Sequence, residues 1–329
     1  MNFMKKLQRL FFFLLIIIPF SVFAYSDYIY VGGNNIGIEI NTKGILVVGF
    51  YDVDGRNIGR DAGFKLGDKI IKVSNKEVTS INDMIKKINS NIDSNNEVTF
   101  TVLRDDIEND ITLKLIKDKN NVYKTGLYVK DQITGIGTLT YIDPETKIFG
   151  SLGHEIVESN SNVKIEVKDG KIFKANITGV SKSTDTITGE KQAVFESSKK
   201  YGNILENTTS GIFGKYLSSF DTSNLMKVAN PDEITTGKAK IRTVLEGQKI
   251  EEYDIEILKI NNESPAKNIL FEITDTKLKD KTNGIIKGMS GSPIIQNDKI
   301  IGAVTHAIVN ANNKGYGIFI TTMLKEGEN

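Results

Sequence analysis

Ser290 lies in the segment GMSGSPIIQ, residues 288–296, and its surroundings are the first sign of chemistry in this chain. Glycine and serine also fill ordinary tight turns, because glycine tolerates positive φ and serine bonds to nearby backbone. A serine hydroxyl is a weak nucleophile near neutral pH, so catalysis needs an adjacent base and a third group that orients the base. The chain has two histidines and no cysteine, so an imidazole base must be His154 or His306.

His154 follows the apolar segment IFGSLG, residues 148–153. This segment predicts a strand that ends at glycine and presents the imidazole at a strand–loop junction. A single histidine beside a glycine is often only structural. The presence of a serine loop elsewhere in the chain is what favours a catalytic role.

Three aspartates are candidates for the group that orients the imidazole. Asp275 ends the alternating segment NILFEITD, where a carboxylate can project from a rigid strand and stabilise an imidazolium. Asp143 lies in YIDPET shortly before His154, and Asp185 lies farther along the chain. Each of the three could instead be an ordinary turn aspartate.

Composition limits the other kinds of function. The chain has 329 residues, with 42 basic and 41 acidic side chains, and a net charge of +1 gives no reason to expect a nucleic-acid partner. With no cysteine and two histidines, the sequence predicts no metal site and no cofactor. The length suggests about two domains.

The N-terminus predicts an export signal over residues 1–25. Three basic residues, Lys5, Lys6 and Arg9, precede the apolar run of residues 10–24. That run is shorter than the roughly 20 residues that span a bilayer, and it ends in VFA, which resembles a cleavage site. A short uncleaved membrane anchor is the alternative. Either interpretation predicts that the rest of the chain works outside the cytoplasm.

Residues 26–118 are predicted to form an α+β domain. Residues 36–50 alternate apolar and polar residues, which predicts a strand–turn–strand unit with Gly44 in the turn. Ser80 is the predicted N-cap of a helix, and two further strands follow it. This order, and above all AGFKLGDKIIKV, resembles the PDZ domains attached to extracytoplasmic proteases.

In that family a peptide adds as an extra strand, and its carboxylate is held by backbone N–H groups. The resemblance places the groove along Gly44, Ile45, Leu46 and Val47. The alternative is a small α/β domain that only separates the next domain from the membrane. No residue of this domain is expected to be catalytic.

Residues 119–329 are predicted to form a β-barrel or sandwich, because short β segments recur with turn signals between them. Hairpin turns are predicted at Asp169-Gly170, Glu246-Gly247 and Asn297-Asp298. The segment QAVFESSKKYGNIL is ambiguous between helix and strand.

The segment GMSGSP has the G-x-S-G-x-P form of the nucleophile loop in chymotrypsin-like serine proteases, and the resemblance continues through IIQNDKIIGAVTH. It implies a double β-barrel whose oxyanion hole is formed by the backbone N–H groups of Gly288 and Ser290. It also places Thr305 and His306 on the strand that pairs with bound substrate, which leaves the general base to His154.

Nearly the whole chain resembles the stage IV sporulation protein B family, PDZ-containing serine peptidases of endospore-forming bacteria. The resemblance is carried by GIGTLTYIDPETKIFGSLGHEI and TNGIIKGMSGSPIIQNDKIIGAVTHAIVNANNKGYGIFI. It implies a catalytic triad of His154, Asp275 and Ser290. Chymotrypsin-like enzymes take their acid from the first barrel, whereas Asp275 would belong to the second.

The family resemblance also implies a location and partners. It implies secretion into the space between the two membranes around the forespore, with initial membrane association through the hydrophobic N-terminal segment. It further implies self-cleavage and cleavage of a membrane-bound sporulation protein. The PDZ ligand would be either that target or the enzyme's own N-terminal segment.

A second hypothesis is a catalytically inert, secreted PDZ scaffold that binds peptide termini. An intact serine loop together with a histidine after SLG argues against it, because an inactive relative commonly loses one of the two.

Overall fold

The computed structural model describes residues 25–308 and 310–328. The predicted export signal therefore lies outside the described residues, apart from Tyr25. Among the helices in the described ranges, none combines the length and the apolar composition needed to cross a membrane.

The described chain is mostly β. Its strands are β1 Tyr28–Val31, β2 Asn35–Phe50, β3 Lys69–Val73, β4 Lys76–Glu77, β5 Glu97–Arg104, β6 Ile107–Lys114, β7 Ile116–Lys117, β8 Tyr123–Lys124, β9 Leu127–Ile142, β10 Ile148–Ser151, β11 Val167–Ser181, β12 Glu190–Thr208, β13 Gly211–Tyr216, β14 Leu225–Val228, β15 Gly237–Val244, β16 Ile250–Ile260, β17 Ile269–Ile273, β18 Pro293–Gln296, β19 Lys299–Ala307 and β20 Lys314–Phe319. Its helices are α1 Ile58–Asp61, α2 Ile81–Asn91, α3 Thr276–Thr282 and α4 Ile320–Gly327, with a 3-10 turn at Pro231–Glu233.

Six strands close a first antiparallel barrel in the order β2, β9, β10, β13, β12 and β11, with β11 pairing back to β2. The barrel part of β2 reads NIGIEIN, and its alternating isoleucines Ile36, Ile38 and Ile40 are buried. They pack with Phe149 and Ile172 in one core. Period-two alternation thus supplies the interior of this barrel.

A second barrel closes in the order β15, β16, β17, β20, β19 and β18, with β18 pairing back to β15. On β16, Tyr253, Ile255 and Ile257 are buried while the charged residues between them face outward. The two antiparallel barrels confirm the predicted double-barrel architecture.

The two barrels are joined by short strands and by the C-terminal helix. Strand β1 pairs with both β9 and β14, and β14 runs parallel to β19 of the second barrel. On α4, Met323 and Leu324 are buried in a cluster that contains Phe213 of the first barrel and Ile300 of the second. This packing fixes the relative position of the barrels, and so of the residues that face the cleft between them.

The predicted α+β domain is confirmed, and it is inserted into the first barrel. Strands β3, β5 and β6 and helix α2 surround a core of their own. As predicted, Ser80 caps α2, and its side chain accepts a hydrogen bond of 3.1 Å from the Asp83 N–H. The predicted boundary at residue 118 differs from the strand pairing, because residues 35–41 of β2 pair with 132–138 of β9 inside the barrel. Only the outer halves of these two strands belong to the inserted domain.

The structure does not support the prediction that Gly44, Ile45, Leu46 and Val47 line a free peptide-binding edge. Ile45 and Leu46 pair with β3, and the stretch from Leu46 to Phe50 pairs with the start of β9. Strand β9 thus adds to β2 where the peptide was expected, and Asp131 of β9 accepts a 2.7 Å hydrogen bond from the first N–H of α2. An edge that is already paired has no backbone groups left for a peptide.

Local turn signals are overridden elsewhere by long-range pairing. Gly44 is not in a hairpin turn but at a register shift inside the 16-residue strand β2. The predicted turn at Asp169-Gly170 is also wrong, because these residues pair with Asn41 and Ile40 of β2. The ambiguous QAVFESSKKYGNIL lies in strand β12. The turns at Glu246-Gly247 and Asn297-Asp298 are confirmed, since each joins two paired strands.

Candidate active site

A cavity of about 850 Å³ lies between the two barrels, and it brings together Ser290, His154 and His306. Its walls are largely apolar side chains of the first barrel and the loop after β10. They include Ile38, Ile133, Ile136, Leu152, Ile156 and Val157. Lys164, Glu155 and Lys287 supply charge at the same cavity. An open cavity of this size accommodates several residues of an extended peptide.

The serine loop contains two glycines with positive φ and is bound by two threonines of β9. Gly288 has φ of +92° and Gly291 has φ of +89°. A Cβ on Gly291 would lie 2.2 Å from the Thr138 carbonyl oxygen, so no side chain fits there. Thr138 Oγ1 donates to the Gly288 carbonyl and Thr140 Oγ1 to the Gly291 carbonyl, each at 2.8 Å. The first barrel therefore fixes the loop that carries the nucleophile of the second.

The geometry of this loop leaves two N–H groups unpaired among the described residues, and both are on residues that line the cavity, Gly288 and Ser290. The Lys287 carbonyl accepts from the Lys191 N–H at 3.0 Å, and the Met289 carbonyl accepts from the Ser292 N–H at 2.9 Å. In a trans peptide the C=O and the following N–H point in opposite directions. The N–H groups of Gly288 and Ser290 therefore point away from those bonds. Neither has an acceptor within residues 25–308 and 310–328, which leaves both able to bind an oxyanion.

His154 has the tautomer that a general base requires. It follows Leu152 and Gly153, both with φ of +70°, at the end of β10. Its Nδ1 lies 2.7 Å from the Glu155 carbonyl oxygen, which can only accept, so Nδ1 carries the proton and Nε2 is a free acceptor. Burial lowers the pKa of His154, although the bond to Glu155 opposes that shift. The imidazole is therefore neutral near pH 7.

His306 lies beside His154, with ring centroids 5.1 Å apart and a tilt of 44° between the rings. Its Nδ1 is buried without a hydrogen-bond partner among the described residues. Burial lowers the pKa of His306 to about 4, and the neighbouring His154 and Lys267 act in the same direction. A base with so low a pKa is a weak proton acceptor at neutral pH. The structure thus favours His154 as base and His306 as part of the cavity wall.

Ser290 does not donate to either imidazole in this structure. Its Oγ donates to the Thr305 carbonyl at 3.0 Å. The Thr305 side chain is buried and donates to the Tyr316 carbonyl at 3.1 Å, so this residue faces the nucleophile through its backbone alone. The serine and histidine share the cavity, but the proton-transfer bond between them has yet to form.

The structure does not bring Asp275 to His154. Asp275 is the N-cap of α3, its carboxylate accepts from the Leu278 N–H at 2.9 Å, and it does not line the cavity. The geometry therefore does not support its predicted role as the triad acid. The physical reason is that the unpaired N–H groups of a helix start compete for this carboxylate.

The other two aspartates are also occupied elsewhere or exposed. Asp143 is buried and binds Ser26 and the Glu145 N–H, whereas Asp185 is exposed in a loop. Among the described residues, no carboxylate hydrogen-bonds to His154. The Glu155 carbonyl is the group that orients its ring.

Four contributors to the site were not predicted from the sequence. The threonines Thr138 and Thr140 alternate in GTLTY, and a period-two pair on one strand face is a signal that could have identified them. The Glu155 carbonyl and the buried Lys191 carry no local sequence signal. Within the described residues, no group of His, Asp and Glu side chains is arranged to hold a metal ion.

Comparison with known proteins agrees with the domain order. The PDZ domain model matches residues 35–115, and the model of the SpoIVB peptidase S55 family matches residues 121–324. None of the curated proteins matches this chain.

Two crystal structures of the Rv3671c protease, the active form from M. tuberculosis and an inactive form, align with 13% identity each. Both alignments cover 58% of this chain, and they cover 71% of the active-form chain and 81% of the inactive-form chain. The TM-scores are 0.28 and 0.27.

The family model spans more than half of the sequence, and its range contains the serine loop, both histidines and nearly all of both barrels. This chain belongs to the SpoIVB peptidase S55 family, and it is a serine endopeptidase that carries a PDZ domain.

Proposed function

We propose that this peptidase is exported into the space between forespore and mother cell, cleaves itself, and processes a membrane-bound partner as a proteolytic signal during sporulation. Membership of the family supports the proposal. The observation that carries the peptidase chemistry is the cavity that joins Ser290 and His154 and is open to an extended chain. The apolar N-terminal run of residues 10–24 supports export and initial membrane association.

The mechanism follows from the atoms that face the cavity. Substrate entry must break the bond from Ser290 Oγ to the Thr305 carbonyl, after which the hydroxyl turns to His154 Nε2. The imidazole takes the proton as Ser290 attacks the scissile carbonyl, and the two free N–H groups bind the oxygen as it becomes negative. The imidazolium then protonates the leaving amine, which leaves the acyl group on Ser290. A water molecule, deprotonated by the same imidazole, hydrolyses this ester, and the proton returns to Ser290 Oγ.

Self-cleavage is tested with purified full-length wild type beside Ser290→Ala. We expect the wild type to yield defined fragments whose new N-termini map to one or a few sites, and the variant to remain intact. Mixing tagged Ser290→Ala with wild type shows whether one molecule cleaves another. Intact wild type, or identical fragments from both proteins, would contradict self-cleavage and favour the inert scaffold.

We further propose that the inserted PDZ domain selects the membrane-bound partner through a surface other than its paired β2 edge, and that it does not take part in the chemistry. Because Asn41 pairs with Gln132, residues 43–130 can be replaced by Asn-Gly to close a two-residue hairpin on the intact barrel. We expect this variant to keep cleavage of an unstructured peptide and to lose processing of the partner. Deleting residues 36–115 is the contrasting control, since it removes a barrel strand and should abolish both.

A further inference from the structure

Lys191 is a buried lysine without a carboxylate partner among the described residues. Only 4% of it is exposed, and its Nζ donates to Asn35 Oδ1 and Thr243 Oγ1, each at 2.8 Å. Lysine is almost never fully buried in a protein unless it is paired with a charge. Burial lowers the pKa of Lys191 to about 7. Burying this amine costs free energy of folding, and an apolar residue would avoid that cost. We therefore expect a function that depends on the amine.

The two acceptors of Lys191 belong to different barrels. Asn35 lies on β2 of the first barrel, directly opposite Thr138, the residue that binds the serine loop. Thr243 lies on β15 of the second barrel and is fully buried. The Lys191 amine therefore links the two barrels behind the serine loop.

The same residue contacts the loop itself in two ways. Its N–H donates to the Lys287 carbonyl at 3.0 Å, which turns the following Gly288 N–H in the opposite direction. Its methylene chain lies against Gly288, where an added Cβ would be 3.1 Å from Lys191 Cδ and 3.2 Å from its Cβ. Rotation of the Lys287–Gly288 peptide would break the hydrogen bond to the Lys191 N–H. The Lys191 stem packed against Gly288 also restricts this rotation.

We propose that Lys191 is a positioning residue that keeps the Gly288 N–H directed at the oxyanion of the transition state. It does not touch substrate, because it does not line the cavity and its amine is bound on the far side of the loop. Lys191 acts through Gly288. Its backbone N–H holds the Lys287–Gly288 peptide, and its side-chain amine is held by Asn35 and Thr243. Without the amine bonds to Asn35 and Thr243, the backbone and stem of Lys191 that hold this peptide would be less firmly anchored.

The test compares Lys191→Met, which keeps most of the stem and loses the amine, with wild type. Lys199→Met serves as the control, because Lys199 is an exposed lysine of the same strand β12. The readout is the rate of Ser290 modification by a fluorophosphonate, which forms a tetrahedral adduct and needs the oxyanion donors. NMR titration of the two imidazoles is the second readout, since the chain has two histidines.

We expect Lys191→Met to slow Ser290 modification about 100-fold, the order lost with one oxyanion donor, while the imidazole titrations stay unchanged. Thr243→Val keeps the lysine and removes one acceptor, and it should slow the reaction by roughly 3- to 10-fold even if Lys191→Met folds poorly. Unchanged rates in both variants overturn the proposal. A slower modification rate that is accompanied by shifted imidazole titrations also overturns it, because the substitution would then act on the base. A wild type that the probe does not label overturns it as well.

Discussion

The serine loop and the pair of imidazoles face the same cavity, but they are held very differently. The loop is bound by Thr138, Thr140 and Lys191, and no side chain would fit at Gly291. His154 has one hydrogen bond, to the carbonyl of the next residue, and His306 Nδ1 has none among the described residues. One half of the site is assembled, and the other half is not.

This difference indicates which step substrate binding must complete. An oxyanion hole works by being in place before charge develops, so its donors need to be rigid in the free enzyme. The nucleophile–base bond can form later, because only a rotation of the Ser290 hydroxyl away from the Thr305 carbonyl is needed on the serine side. The free enzyme thus has its oxyanion donors in place, and a ligand in the cavity need only displace the Ser290–Thr305 bond for the nucleophile to reach the base.

The largest expected effect separates the two imidazoles. His154→Ala should lower kcat by about four to six orders of magnitude, because it removes the proton acceptor. His306→Phe keeps an aromatic ring beside His154 and should change kcat by less than about tenfold. Both are measured on an unstructured peptide substrate. The reverse result would show that His306 is the base and that the roles assigned from the geometry are exchanged.

A smaller effect is expected where the first barrel binds the serine loop. Thr138→Val removes the bond to the Gly288 carbonyl and leaves that oxygen buried, so kcat should fall by about 10- to 100-fold with little change in KM. Thr138→Ser keeps the hydroxyl and should restore most of the activity. If the serine variant is as slow as the valine variant, the methyl packing of Thr138 matters and its hydrogen bond does not.

Much of the fold can be predicted from alternation and turn chemistry. The hairpin of β18 and β19 is predictable because Asn297-Asp298 interrupts two apolar runs, and both residues have positive φ in the structure. The insertion into the first barrel could not be predicted, because it depends on pairs such as Asn41 with Gln132 that are far apart in sequence. The turn signal at Asp169-Gly170 does not produce a turn, because these residues pair with β2 instead.

The residues of the active site also divide into those that the sequence predicts and those that it does not. Ser290 and its glycines stand in a continuous motif, because the loop conformation itself requires them. Lys191 lies in EKQAV, where alternation gives no sign that this charged residue points inward. The alternation of NILFEITD makes Asp275 a strand end, but an aspartate just before TKLKDKT is also an N-cap signal. In the structure, the Asp275 carboxylate caps the N-terminus of α3.

The pH dependence of turnover sharpens the description of the base. Since burial lowers the pKa of His154, its imidazole stays neutral to a lower pH than an ordinary histidine does. A base with pKa 6.5 would leave roughly one-tenth of the plateau kcat/KM at pH 5.5. We therefore expect more than that fraction at pH 5.5. A steeper loss would mean that His154 gains a charged partner in the free enzyme in solution.

The smallest expected effect concerns Asp275, and it decides between a helix cap and a catalytic acid. As a cap, Asp275→Asn keeps a side-chain oxygen for the Leu278 N–H, so stability should change by only a few tenths of a kcal/mol. Asp275→Ala loses the cap and should cost about 1 kcal/mol. Activity of the folded fraction should stay within about threefold of wild type in both.

A catalytic acid gives a different pattern. Asparagine in place of a triad aspartate holds the wrong imidazole tautomer, which lowers kcat by roughly 10⁴ in a chymotrypsin-like serine protease while the geometry of the site stays intact. Thermal unfolding and peptide cleavage measured on both variants separate the two roles. If Asp275→Asn is stable but inactive, α3 must release the carboxylate when substrate binds. The imidazole half of the site would then be assembled from the second barrel, and the Glu155 carbonyl would orient His154 only in the resting enzyme.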